Sequence, residues 1–310
     1  MKRFKNILFI LGSNDAEEET TAERVRTLAR QNDARVCIAR VLDESFIEQL
    51  SKIFSPPMKQ MAELAKDHLQ EEVDTFLQRS DWAGVETTTA VLKGRDFIAV
   101  ISKVLGDGHD LVIKSDLNTH GADQLSMRLF RKCPCPVWVI RNRGDGNFKR
   151  ILAALDLGND GEDNLRLNRK IIELTHSLAS REQGKAHYLH AMHLEYEAMM
   201  RAPRFNMGDK EITVIKEEMR RKSRSSLERL FAETAITVAP ENIHLLQGET
   251  SAVINTAIKD LEADVLVMGT VARAGVPGLL IGNKAEKILS RITCTVMAVK
   301  PDGFVSPVKI

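Results

Sequence analysis

Neither sign of charge dominates this sequence: 44 basic side chains stand against 43 acidic ones, a formal net charge of +1 over 310 residues. Nucleic-acid binders carry a basic excess that releases counterions from phosphates, and residues 1–145 hold 21 Lys and Arg against 22 Asp and Glu. A nucleic-acid partner is therefore not expected. No run reaches the roughly eighteen uncharged apolar residues of a spanning helix, so no membrane span is expected. Met1-Lys2-Arg3-Phe4-Lys5 leads into apolar positions without a cleavage-site pattern, which points to a cytoplasmic protein. Cysteines are few: Cys37, Cys133, Cys135 and Cys294 lie in or beside apolar runs, and one residue between Cys133 and Cys135 is too tight for the usual zinc knuckle. They read as reduced, buried thiols.

What is present is a core-forming composition, 43% hydrophobic and 28% charged, spread over a length that favours two domains or one large α/β unit. Asn6–Gly12 is an unbroken apolar segment closed by Gly12-Ser13-Asn14-Asp15, the pattern of a strand buried on both faces. A helix over 16–32 follows with Ala22, Val25, Leu28 and Ala29 on one face, then a β-rich run over 34–41 and a stripe of Met61, Ala65, Leu69, Val73 and Phe76. The alternation continues through a strand at 85–92, a helix at 97–105 with Ile98, Ile101 and Leu105 inward, and strands at 110–115 and 137–141. Strands separated by helices predict a parallel, doubly wound sheet.

The pattern then repeats. Lys149–Asp156 matches Lys5–Gly12, Leu92-Lys-Gly94 with His109–Ile113 is echoed by Leu246-Gln-Gly248 with Ala263–Val267, and Arg131–Arg141 pairs with Arg291–Lys300. The polar, Gly-rich Asn142–Asn147 separates the halves. The expected layout is two domains, 1–144 and 145–310, each a Rossmann-like five-stranded sheet.

Ligands of such sheets lie beyond the carboxyl ends of the strands. In the second half the strand ending near Met268 opens into Gly269-Thr270-Val271-Ala272-Arg273 and runs on through Gly275 and Gly278 to Gly282-Asn283-Lys284-Ala285, a loop with four glycines feeding a helix. Gly282 leaves room for a phosphate, Asn283 suits an N-cap, and the amides of the next turn carry partial positive charge. The first half has Lys114–Arg128 there, with one glycine, and Gly12 stands where the second half has Asp156. It is therefore expected to bind no nucleotide and to serve as an architectural partner.

Gly269-x2-Ala272-x9-Gly282-Asn283 resembles the Gly-x2-Gly-x9-Gly-[Ser/Thr] loop of the ATP-binding universal stress proteins, and Leu155-Asp156 resembles their strand-end aspartate facing the adenosine. Over nearly all 310 residues the chain is similar to tandem universal stress proteins of the E type. The resemblance implies an adenine nucleotide alpha hydrolase-like fold, halves paired through their last strands as an intrachain pseudo-dimer (Val137–Ile140 beside Val296–Val299), and a cytoplasmic role in resistance to stress such as DNA damage. It also implies an adenine nucleotide (ATP, ADP or AMP, with Mg²⁺) held by Asp156, Met192, Gly269, Thr270, Ala272, Arg273, Gly282, Asn283 and Lys284. Ala272 and Asn283 depart from the motif; a positive φ at Ala272 would cost about 1 kcal/mol. With Asp156 the lone carboxylate and Arg273 or Lys284 as clamps, the crevice supports slow ATPase activity at most. The alternative is a nucleotide-free scaffold or chaperone-like protein, with a lipid or other apolar ligand beneath the segment Glu195–Asn206, which carries Met199, Met200 and Phe205. A homodimer stays open.

His187, His190 and His193 suggest a metal, but strand alternation puts 187 and 193 roughly 20 Å apart on one face and 190 on the other. The stripe Ile212, Ile215, Met219, Leu227 and Leu230 makes the charged run at 217–224 a solvated helix face.

Overall fold

The computed structural model describes residues 3–12, 15–43, 58–116, 121–141, 148–270 and 282–309. They fall into two compact units, Met1–Gly146 with Thr295–Ala298 and Phe304–Ile310, and Asn147–Cys294 with Val299–Gly303.

The first unit runs β1 (Asn6–Ile10), α1 (Asp15–Asn32), β2 (Arg35–Asp43), α2 (Met58–Arg79), β3 (Thr87–Gly94), α3 (Asp96–Asp107), β4 (Leu111–Ser115), α4 (Gln124–Lys132) and β5 (Val137–Ile140). β1 lies between β2 and β4, with β3 beyond β2 and β5 beyond β4, all parallel. The direction of winding reverses between β1 and β4, which opens a crevice at their carboxyl ends. Every residue of β1, β4 and β5 is buried, as two-sided cover requires. On β5 lies β10 (Thr295–Val299), antiparallel, with Val296 opposite Val139 and Ala298 opposite Val137. The pairing expected of these two segments is thus present.

The second unit runs β6 (Arg150–Leu155), α5 (Glu162–Arg181), β7 (Lys185–Met192), α6 (Glu197–Arg201), α7 (Asp209–Thr234), β8 (Ile243–Gln247), α8 (Thr250–Asp260), β9 (Val265–Gly269) and α9 (Asn283–Leu289). Its parallel strands stand in the order β8-β7-β6-β9, so the matching crevice lies between β6 and β9.

Three details differ from the sequence expectations. In α3 the buried residues are Phe97, Val100, Ile101 and Val104, while Ile98 and Leu105 are exposed. The helix is apolar almost all round, and Phe97 settles its phase by packing under Arg128 and Lys132, whose charges lie 5.4 and 4.2 Å from its ring centre. The segment 195–206 contains the short helix α6. Gly282, not Asn283, is the N-cap of α9, leaving Asn283 in the first helical position with no side-chain cap.

Candidate functional site

In the second unit β6 ends at Asp156, whose main chain is clamped on both sides. Its carbonyl accepts from Asn168 Nδ2 at 2.7 Å and Asn164 Nδ2 at 2.8 Å, and its N–H donates to Asn168 Oδ1 at 3.2 Å. Asn168 is buried on the inner face of α5, so the pin is rigid. The Asp156 side chain is exposed and accepts the local Gly158 N–H at 3.2 Å.

Across the crevice, β9 delivers Gly269 and Thr270. A Cβ at Gly269 would sit 2.9 Å from Leu167 Cδ2 on α5, so the helix packs where a side chain would stand. Thr270 is buried and closes the base of the glycine loop: its N–H donates to Val299 O at 3.3 Å, its carbonyl accepts from Gly282 N at 3.1 Å, and its hydroxyl accepts from Lys300 Nζ at 2.6 Å. The N–H groups of Thr270 and Gly282, two of those expected to face phosphate, are thus engaged by main-chain carbonyls. Lys300 is itself buried, so a cationic side chain lies beside the end of β9. Ala272 and Arg273 lie outside the described residues; Asn283 and Lys284 are exposed on α9.

His190 on β7, the strand on the other side of β6, is buried opposite Leu155. Its Nδ1 is 3.1 Å from Leu155 O and 3.3 Å from Leu157 N, so a neutral ring serves one of them at a time. Burial lowers its pKa, the Leu155 carbonyl and Asp156 oppose that shift, and Lys284 adds to it. Asp156 and Lys284 therefore act on one interior point from opposite sides. Sequence reasoning gave His190 no ligand-facing role. Met192, two residues further along β7, is buried and lines a cavity of about 250 Å³ with His193, Leu194, Met219, Gln247 and the Glu197–Lys216 ion pair. The three histidines do not converge: His187 Nδ1 instead meets His244 Nε2 at 3.2 Å, and His193 is exposed.

The first unit's crevice is arranged differently. At the end of β1, where the second repeat has Asp156, Gly12 donates its N–H at 2.9 Å to Oε1 of Glu18, a buried residue of α1. Ser115 at the end of β4 donates its hydroxyl to the same oxygen. A Cβ at Gly12 would stand 2.5 Å from Glu18 Oε1, so the glycine makes room for the carboxylate. Burial raises the Glu18 pKa against the opposing hydrogen bonds from Ser115 and Gly12 and the charges of Lys114 and Arg40. Lys114 donates to Asp123 and to Ser126 Oγ at 3.1 Å, and Arg141 forms a buried ion pair with Asp116 at 2.9 Å. At this crevice the chain's own side chains thus pair with one another. No group of three or more His, Cys, Asp or Glu suited to a metal ion occurs among the described residues, where no helix is long and apolar enough to cross a membrane.

The sequence matches the Universal stress protein family over residues 3–141 and again over 147–300. Universal stress protein E of Photorhabdus laumondii is 24% identical, with 100% of this chain and 99% of that protein aligned. The Universal stress protein E homolog of Haemophilus influenzae is 26% identical, with 96% and 98% aligned. A functionally unknown protein of Pseudomonas aeruginosa PAO1 shares the fold with a TM-score of 0.68 at 21% identity, over 97% of this chain and 94% of that one. With both repeats matched along almost their whole length, the chain belongs to the universal stress protein family.

Proposed function

We propose that the second unit binds an adenine nucleotide at the crevice between β6 and β9, and that the protein works in the stress response as a nucleotide-responsive binding protein rather than an efficient enzyme. The observation that carries this reading is the pinned, exposed carboxylate of Asp156 after β6, with buried Lys300 on the Thr270 hydroxyl after the neighbouring β9. Asp156 would accept from the adenosine, while Lys284 and the glycine loop from Gly269 to Gly282 would receive the phosphates, with Mg²⁺ as their counter-ion. Met192 and its cavity would border the base. Hydrolysis needs a general base on the attacking water; Asp156 is a lone carboxylate turned toward the sugar, which leaves slow turnover at best. Occupancy would act by shifting conformations or partner affinity. The cytoplasm is the expected compartment.

The test is direct. Protein purified from cells is heated, acid-quenched and resolved by ion exchange; the expected result is a co-purified adenine nucleotide that is lost in Gly282→Val. An empty wild-type protein that also shows no thermal shift with millimolar Mg·ATP would leave the scaffold reading, which the exposed Tyr196, Met199 and Phe205 favour.

A further inference from the structure

Glu18 offers more than a filled crevice. Its Oε1 holds two donors, but its Oε2 is buried and has no hydrogen-bond partner among the described residues. A shielded carboxylate oxygen without a donor is costly, and a donor that reaches it removes that cost. Glu18 also lines a cavity of about 320 Å³ in the first unit, which Leu11, Gly12, Arg40, Phe76, Thr75 and the acidic turn Glu71-Glu72 of α2 help to enclose.

We propose that this cavity binds a small aliphatic primary ammonium ion, with the Glu18 carboxylate as its anionic partner. The charges around it favour that class. Arg40 donates through its two terminal nitrogens to the Gly12 carbonyl and to Glu72, and Lys114 donates to Asp123, so these nitrogens are committed to other acceptors. His68 lies 3.3 Å from Glu72. Of the remaining lining groups, Glu18 and Glu71 outweigh Arg79, and a phosphate or carboxylate entering here would meet Glu18 head-on. An ammonium supplies three donors in a compact head, enough for Oε2 and a neighbouring acceptor. Leu11 and Phe76 offer apolar surface to its methylene chain.

Burial raises the Glu18 pKa, so the empty site holds its proton to higher pH than an exposed carboxyl does. A cation binds the ionised form, so binding expels that proton and tightens as pH rises through the Glu18 titration. The charged and titratable groups facing Glu18 are Arg40 of β2, Lys114 of β4 and, across the cavity, His68, Glu71, Glu72 and Arg79 of α2.

Calorimetric titration of the full chain with n-butylammonium chloride, with n-butanol as the neutral match, tests this. The expected result is one site per chain, at least tenfold preference for the ammonium, and proton release that shows as a dependence on buffer ionisation heat. Glu18→Gln should weaken binding at least tenfold and abolish proton release. Thr75→Trp, an exposed rim position, should block entry without touching Glu18, and it carries the test if Glu18→Gln fails to fold. Equal binding of butanol, no heat from the ammonium at millimolar concentration, or undiminished binding in either folded variant would overturn the proposal. The nucleotide reading concerns the other unit and stands or falls separately.

Discussion

The two strand-end crevices start from one sequence pattern and reach opposite chemistry. In the second unit the carboxylate is short, belongs to the strand itself, and faces outward from a main chain clamped by Asn164 and Asn168. In the first the strand ends in glycine, and the carboxylate arrives from α1, turned inward on Gly12 and Ser115. The next layer diverges in parallel. Asp116 with Arg141 forms a buried ion pair in the first unit; at the corresponding positions of the second, Lys300 donates to the Thr270 hydroxyl. The first unit sets its buried cation against a carboxylate, and the second sets its buried cation against a hydroxyl. Side chains at a few positions, not the fold, make this difference between the repeats.

Breaking the buried charge pair should have the largest effect. Arg141→Met takes the guanidinium from the buried Asp116 carboxylate, which keeps the Asp123 N–H, and should cost about 3–5 kcal/mol in urea unfolding, whereas Lys300→Met takes a donor from the neutral Thr270 hydroxyl and should cost about 1–2 kcal/mol. Similar losses would mean that the two layers are energetically alike. Next come the glycines: Gly12→Ala drives a methyl into Glu18 and should cost about 2–3 kcal/mol, while Gly269→Ala meets only the tip of Leu167, which can shift, for about 1 kcal/mol. Thermal denaturation of the two variants would reverse this order if Glu18 did not need Gly12.

A smaller effect is visible through pH. The folded-state pKa of Glu18 is raised above the ordinary 4.5, so the folded chain holds its proton more tightly than the unfolded one. Its contribution is fully present below about pH 4.5 and is lost as pH rises through the folded value. Glu18→Gln should therefore gain stability relative to wild type on going from pH 4 to pH 8; a constant difference would place the carboxyl in water. The smallest effect belongs to His187 and His244, whose pKa values burial lowers. Their stabilisation should fall away as pH drops below about 6.5, and His244→Gln should flatten that slope in pH-dependent melting.

The alternation of strands and helices and its repetition were legible because most buried strands are continuous apolar runs and each repeat presents the same sequence of runs. The ends of β6 and β9 were legible because a glycine loop and a strand-end aspartate are local signals. Glu18 was not: within Glu17-Glu18-Glu19 at the start of a helix it reads as a solvated acid, and only Gly12, lacking a side chain six residues earlier, hints at its burial. Arg141 and Lys300 could have been found, since both close the repeated final strand and a cation there recurs in both halves. The His187–His244 contact joins residues 57 apart and depends on β7–β8 register, which periodicity does not encode.

Equilibrium dialysis of nucleotide-stripped protein against radiolabelled Mg·ATP, counting molecules bound per chain, tests the division of labour between the crevices most directly. The account predicts one nucleotide per chain, lost in Asp156→Ala and kept in Glu18→Gln. Two per chain, or one that survives Asp156→Ala and disappears in Glu18→Gln, would contradict it.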